Sequence, residues 1–289
     1  FISHLFFFYY LTRNEIRSFV GSGLRVAGEF AEHCTRNMNR ESTVKGVKRG
    51  LGHEGDVLEE PAKHRAVTVP LSFRLNRSFF GLSCERLARA LLGKVLARRL
   101  PGDTLLRCRI VETECYPGGD DRASRSFQGR RTERNEPLFM EAGTAYVYLT
   151  YGMYHCFNIS SEGDGAAVLL RAAVPIEGLE IMRTLRGAKR KDSGRGLKER
   201  ELCNGPAKLC LAMAIDKAAL NKEFLPDSQT LWLERDGGDV QARDVVVATR
   251  IGIDGAGEES ADKPLRFYVR GCACVSVRDK KAEALTLPS

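Results

Sequence analysis

Apolar and polar positions change their spacing several times along the chain, and each change predicts an element. Residues 83–92 (SCERLARALL) predict a short helix, with Ser83 as N-cap and Gly93 as its stop. Residues 94–100 and 104–116 read as two strands around the turn Pro101-Gly102-Asp103. In the second strand Leu106, Cys108 and Ile110 fall on one face. Further strands are predicted at 144–151, 154–160 and 166–174, separated by Gly152-Met153 and by Glu162-Gly163-Asp164-Gly165. Residues 177–186 carry Leu179, Met182 and Leu185 at helical spacing, and 206–216 predict a helix with Pro206 at its first position. Strands at 230–235, 245–251, 265–270 and 274–277 close the series. Strands outnumber helices and do not alternate with them as βαβ units. The predicted fold is therefore α+β, a single domain over 71–289 whose curved, mainly antiparallel sheet is flanked by helices.

The first 70 residues lack this order. Residues 5–11 (LFFFYYL) form a short apolar run, and 12–69 mix charge, Gly and Ser without periodicity. This part is read as a poorly ordered N-terminal tail. Beginning at Phe1 rather than Met, the chain is expected to be a fragment, a processed form or a translated exon. Among its 289 residues 43% are apolar and 28% charged, which supports a sizeable core and excludes wholesale disorder. No stretch reaches the roughly 18 uninterrupted apolar residues of a membrane-spanning helix, so no membrane association is expected.

Charge changes the picture more than composition does. The net charge is +8, and much of it is concentrated. Residues 183–200 hold eight basic and two acidic residues, and 122–134 hold five Arg and one Glu. Two such stretches suit a polyanionic partner. The nine Cys are odd in number and irregular in spacing, without a zinc-type Cys/His grouping, and read as reduced thiols. His155 is the only His beyond residue 70, so triads or metal sites built on His have little raw material there.

Two segments could carry chemistry. In Val111-Glu112-Thr113-Glu114-Cys115-Tyr116, alternation puts Glu112, Glu114 and Tyr116 on one face. Carboxylates on an otherwise apolar strand are costly to bury without partners, which points to a polar cavity. A solvent-facing strand edge is the plainer alternative. Residues 146–158 (YVYLTYGMYHCFN) hold Tyr146, Tyr148, Tyr151 and Tyr154, four of the chain's eight Tyr. An aromatic core strand would explain them, as would a stacking platform for bases, and the basic stretches favour the platform.

Four stretches then show a resemblance: RIVETECY (109–116), the run from RTERNEPLFMEAGTAYVYLTYGMYHCFN to LEIMR (131–183), RELCNGPAKLCLAMAID (200–216) and KPLRFYVRG (263–271). Over roughly 200 residues the chain resembles the alkyladenine (3-methyladenine) DNA glycosylases of the vertebrate type. The resemblance implies hydrolysis of the N-glycosidic bond of alkylated or deaminated purines after the nucleotide is flipped from the duplex. The lesions implied are 3-methyladenine, 7-methylguanine, hypoxanthine and etheno-adenine, each leaving an abasic site. Glu114 matches the general base that activates water. Arg171 matches an Arg near that water and the DNA backbone. Tyr116 and Tyr148 match the rings lining the base pocket, and Asn158 the residue that rejects the 2-amino group of guanine. Tyr151 matches the residue inserted into the gap in the stack, and Lys208 a phosphate contact. Arg125, in Ala123-Ser124-Arg125-Ser126, stands where the family commonly has a His bordering the base. A guanidinium there weighs against cationic lesions. Cys272-Ala273-Cys274 replaces the usual Ser-Pro-aromatic.

The implied partner is double-stranded DNA containing damaged purines, bound by a monomer that needs no cofactor and no metal. The implied location is the nucleus, with a mitochondrial form as the alternative. A DNA-binding protein that has lost turnover, and an RNA or single-strand binder, are the competing readings.

Overall fold

The computed structural model describes residues 73–188 and 190–285. The expected N-terminal tail lies outside the described residues. In chain order the helices and strands are α1 (Arg77–Phe80), α2 (Cys84–Ala90), β1 (Val95–Arg99), β2 (Leu105–Tyr116), β3 (Ala145–Thr150), β4 (Tyr154–Ser160) and β5 (Ala167–Glu177). There follow α3 (Leu179–Gly187), α4 (Pro206–Ala212), α5 (Lys217–Leu220), β6 (Leu231–Glu234), β7 (Val245–Ala248), α6 (Glu258–Ala261), β8 (Arg266–Val269) and α7 (Lys280–Leu285).

The strands form one curled sheet in which the named strands pair antiparallel. Its main path runs β3-β4-β5-β2-β1-β6, and the predicted α+β class is the one observed. The 12-residue β2 is its spine. One edge of β2 pairs with β5 along most of its length. The other edge pairs with β1 through Leu105–Arg109, then with β8 through Glu112–Glu114. Burial follows this change. The first half of β2 alternates, with Leu106, Cys108 and Ile110 fully buried, as its period of two predicts. Its second half is buried on both faces. Helix α2 covers one of them, where the Thr113 hydroxyl donates to the Ala88 carbonyl at 2.8 Å. The opposite face carries Glu112 and Glu114.

Several boundaries differ from the sequence pattern. Ser83 sits at the start of α2 but makes no side-chain cap, while Gly93 does mark the stop at a φ of +83°. The helix predicted from residue 206 ends at Ala212, because Ala214 turns to a φ of +48°. Residues 274–277 form no strand. The Ser276 amide, which a ladder would need, instead donates to Glu112 Oε2 at 2.7 Å.

The loop after β2 packs closely on the turn between β4 and β5. The Ser126 hydroxyl donates to the Gly165 carbonyl at 2.6 Å. Gly118 has a φ of +74°, and a Cβ there would stand 2.8 Å from the Asp164 carbonyl oxygen. Only glycine allows this approach, and it brings residues 123–125 over the sheet face that bears Glu114.

Candidate active site

Glu114 is the centre of the site, and three groups grip its carboxylate. Arg171 Nη1 lies 3.1 Å from Oε1, and the Ile251 backbone amide donates to the same oxygen at 2.8 Å. The Tyr116 hydroxyl donates to Oε2 at 2.8 Å. An ionised carboxylate offers about four acceptor positions, so one on Oε2 is left over. The side chain is fully buried. The carboxyl therefore lies just behind the wall of a cavity of about 540 Å³, whose lining includes its three partners Tyr116, Arg171 and Ile251. It is reached through them and not from open solvent.

Burying a second carboxylate two residues away on the same face would be prohibitive without cations. Glu112 Oε1 accepts from Arg171 Nε at 3.3 Å and from Arg266 Nη1 at 3.0 Å. Two acids thus face two guanidiniums in a buried layer. Burial, the largest influence on Arg171, pulls its pKa down, but Glu114 and Glu112 outweigh it and hold the pKa above its usual value. Strand register places Arg171 there. Thr113 pairs with Leu170 and Glu114 with Leu169, so the next side chain of β5 on the Glu114 face is Arg171, beside Glu112. The pairing of Glu112 with Ala172 marks a local irregularity at this point, as is common beside functional sites.

The walls are aromatic. Tyr116, Tyr146 and Tyr148 all line the cavity, and the rings of Tyr146 and Tyr148 lie 5.3 Å apart with a 36° tilt. Burial, then the Glu114 charge, pushes the Tyr116 hydroxyl well above its usual pKa, so it remains a donor. Burial likewise raises Tyr148. Asn158, on β4 opposite Tyr146, lines the cavity and donates from Nδ2 to the Tyr146 carbonyl at 3.1 Å. The guanidinium of Arg125 lies 3.9 Å from the Tyr148 ring centroid.

Tyr151 stands at the rim, 87% exposed at the tip of the β3–β4 turn. Its φ is +50° and that of Gly152 is +68°, so a bulky residue occupies a position that usually favours Asn or Gly. Leu149 and Met153 are exposed beside it. An exposed, aromatic, backbone-strained tip of this kind suits a surface that inserts into a partner.

The structure brings Glu114, Tyr116, Arg125, Tyr148, Tyr151, Asn158 and Arg171 together at one cavity. Lys208 is beside it. Its neighbours Pro206 and Ala207 line the cavity, whereas its ammonium donates to Asn204 Oδ1 at 2.9 Å. Sequence reasoning missed Arg250. Its side chain is fully buried, with Nη1 and Nη2 on the two Asp121 oxygens at 2.7 and 2.6 Å. Nη1 also donates to the Cys115 carbonyl, and the guanidinium lies 4.8 Å from the Tyr116 ring centroid. Arg250 thus fixes the Tyr116 wall and, through the next residue, the Ile251 amide on Glu114. Nothing local marks it, because a lone Arg after a strand reads as a surface cation. Among the described residues no cluster of three or more His, Cys, Asp or Glu could hold a metal ion, and all eight described cysteines are free. No described helix is long and apolar enough to cross a membrane.

Comparison with known proteins gives the same assignment. The sequence model of the methylpurine-DNA glycosylase family matches residues 78–273. The human protein named DNA-3-methyladenine glycosylase is 55% identical over 211 residues, covering 73% of this chain and 70% of that protein. The mouse protein of the same name is 54% identical over 219 residues, covering 75% of this chain and 65% of its own length. A probable DNA-3-methyladenine glycosylase of Encephalitozoon cuniculi is 48% identical over 196 residues, 68% of this chain and 89% of that protein. With the match spanning well over half its length, and with the sheet and cavity built by the matched segment, this chain belongs to the methylpurine-DNA glycosylase family.

Proposed function

We propose that this chain is a monofunctional base-excision repair glycosylase that hydrolyses the N-glycosidic bond of damaged purines in duplex DNA, with water as the nucleophile. The observation that carries the reading is the Glu114 carboxylate, held by three donors with one acceptor position unused behind a tyrosine-walled cavity. The unused lone pair accepts a proton from a water placed between Glu114 and the sugar C1′. Arg171 and the Ile251 amide keep the carboxylate oriented, and the leaving base departs with the bond electrons. No amine nucleophile is required, so no strand cleavage accompanies release.

The target C1′ is inaccessible inside a stacked duplex, which makes extrusion of the nucleotide part of the proposal. Extrusion costs a few kcal/mol. Insertion of Tyr151 into the vacated stack returns about 1–3 kcal/mol, the same order. Damaged, poorly paired bases then tip the balance. Tyr116 and Tyr148 receive the extruded ring, and Asn158 stands where a purine 2-amino group would meet a buried amide. Lys208 and the basic stretch at 122–134 are assigned to the phosphates.

Single-turnover release of hypoxanthine from a duplex tests the reading. Glu114→Gln is expected to lower the rate by about 10²–10⁴-fold, the usual worth of a general base, while duplex binding stays near normal. Equal rates in the two proteins would rule out Glu114 as the base. Binding without any release by the wild type would identify a DNA-binding protein without turnover. Competition by single-stranded oligonucleotide as strong as that by duplex would indicate a single-strand binder.

A further inference from the structure

Arg125 is held in an unusual way. Its backbone is fixed, because Asn135 donates from Nδ2 to its carbonyl at 2.9 Å and the flanking Ser124 and Ser126 are buried. The Ser124 hydroxyl donates to Asp121 Oδ2 at 2.7 Å, and Ser126 is tied to the Gly165 carbonyl. Its side chain is exposed and lies over the Tyr148 ring, 3.9 Å from the centroid. No carboxylate forms an ion pair with it among the described residues. Its charge therefore acts on the cavity undiminished by any salt bridge.

An aromatic wall by itself attracts cations. A cavity lined by Tyr116, Tyr146 and Tyr148 would on that ground prefer a positively charged base. Here the Tyr148 face already has a cation against it. A cationic base must either displace the guanidinium, forfeiting one cation–aromatic contact for another, or lie beside a like charge. A neutral base can lie beside the guanidinium with no like-charge repulsion, leaving the Arg125–Tyr148 contact in place. Arginine also carries N–H donors that match the O6 and N7 acceptors of a purine with a 6-oxo group. Methylation at N7 removes one of those acceptors and adds a positive charge.

We propose that Arg125 sets the substrate class of this cavity, cancelling the attraction of its tyrosine walls for cationic bases and directing excision towards neutral damaged purines that present oxygen or nitrogen acceptors. The proposal rests on the glycosylase reading above and deepens it.

The test is single-turnover excision of 7-methylguanine and of hypoxanthine from matched duplexes by the wild type, Arg125→Gln and Arg125→Lys. Glutamine keeps much of the length and polarity but removes the charge. Arg125→Gln is expected to raise the ratio of 7-methylguanine to hypoxanthine rates about tenfold, within the range of a cation–aromatic contact. Arg125→Lys keeps the charge and is expected to leave the ratio near the wild-type value. An unchanged ratio in Arg125→Gln, including an equal fall in both rates, overturns the role of Arg125 alone. Release of neither base by the wild type would instead overturn the glycosylase reading, and this proposal with it.

Discussion

Tyr116 contributes two separable things to the site: a ring that lines the cavity and a hydroxyl that donates to Glu114 Oε2 at 2.8 Å. Tyr116→Phe keeps the first and removes the second. A hydrogen bond to a charged group is worth about 1.5–3 kcal/mol, so the single-turnover rate is expected to fall about 10- to 100-fold. Duplex affinity is expected to change little; a matching loss of affinity would place the hydroxyl in binding instead. At this scale much was legible in the sequence. Alternation alone put Glu112, Glu114 and Tyr116 on one face, and the structure keeps them there. Arg250 was not legible, because its partner Asp121 is 129 positions away and nothing near either residue announces the pair.

The register of β5 against β2 decides what the carboxylates of β2 meet. Arg171→Met removes one of the two cations facing Glu112 and Glu114. Breaking a buried pair from one side typically costs about 3–5 kcal/mol. Adding Glu112→Gln removes one of the surplus negative charges. The double variant is then expected to be more stable to urea than the sum of the single losses, as for residues in one network. Strict additivity would show that Arg171 and Glu112 do not act as a unit. Most elements around this network follow from the chain's periodicity, including β2, β3, β4 and the first turn of α4. The missing strand at 274–277 and the early end of α4 do not. The first loses its ladder donor to Glu112, and the second is broken by a positive φ at Ala214.

Arg250 joins distant segments into one body, since it holds Asp121 in the loop after β2, the Cys115 carbonyl in β2 and the Ser260 carbonyl in α6. Burial, the largest influence on the Asp121 carboxyl, raises its pKa, but hydrogen bonds from Arg250 and Ser124 more than offset it and leave the pKa below its usual value. A depressed folded pKa stabilises above the unfolded pKa and ceases to do so as pH falls through the folded value. Asp121→Asn is therefore expected to be less stable than wild type at pH 7, with the gap closing below about pH 4, the carboxylate range. A gap in denaturant midpoint that is the same at pH 3 and pH 7 would contradict this. The sequence by itself determined most of the strands and the faces of β2, the aromatic run and the concentration of basic charge. Each depends on residues within a few positions of one another, where side-chain period and local charge decide the outcome. Only the tertiary structure decided that Arg171 turns to the carboxylates, that Arg250 and Arg266 are buried counter-ions, and that Arg125 lies on Tyr148. Those outcomes depend on strand register and on loops meeting across the sheet, and a buried charge has to find its partner there because burial leaves it no water to pair with.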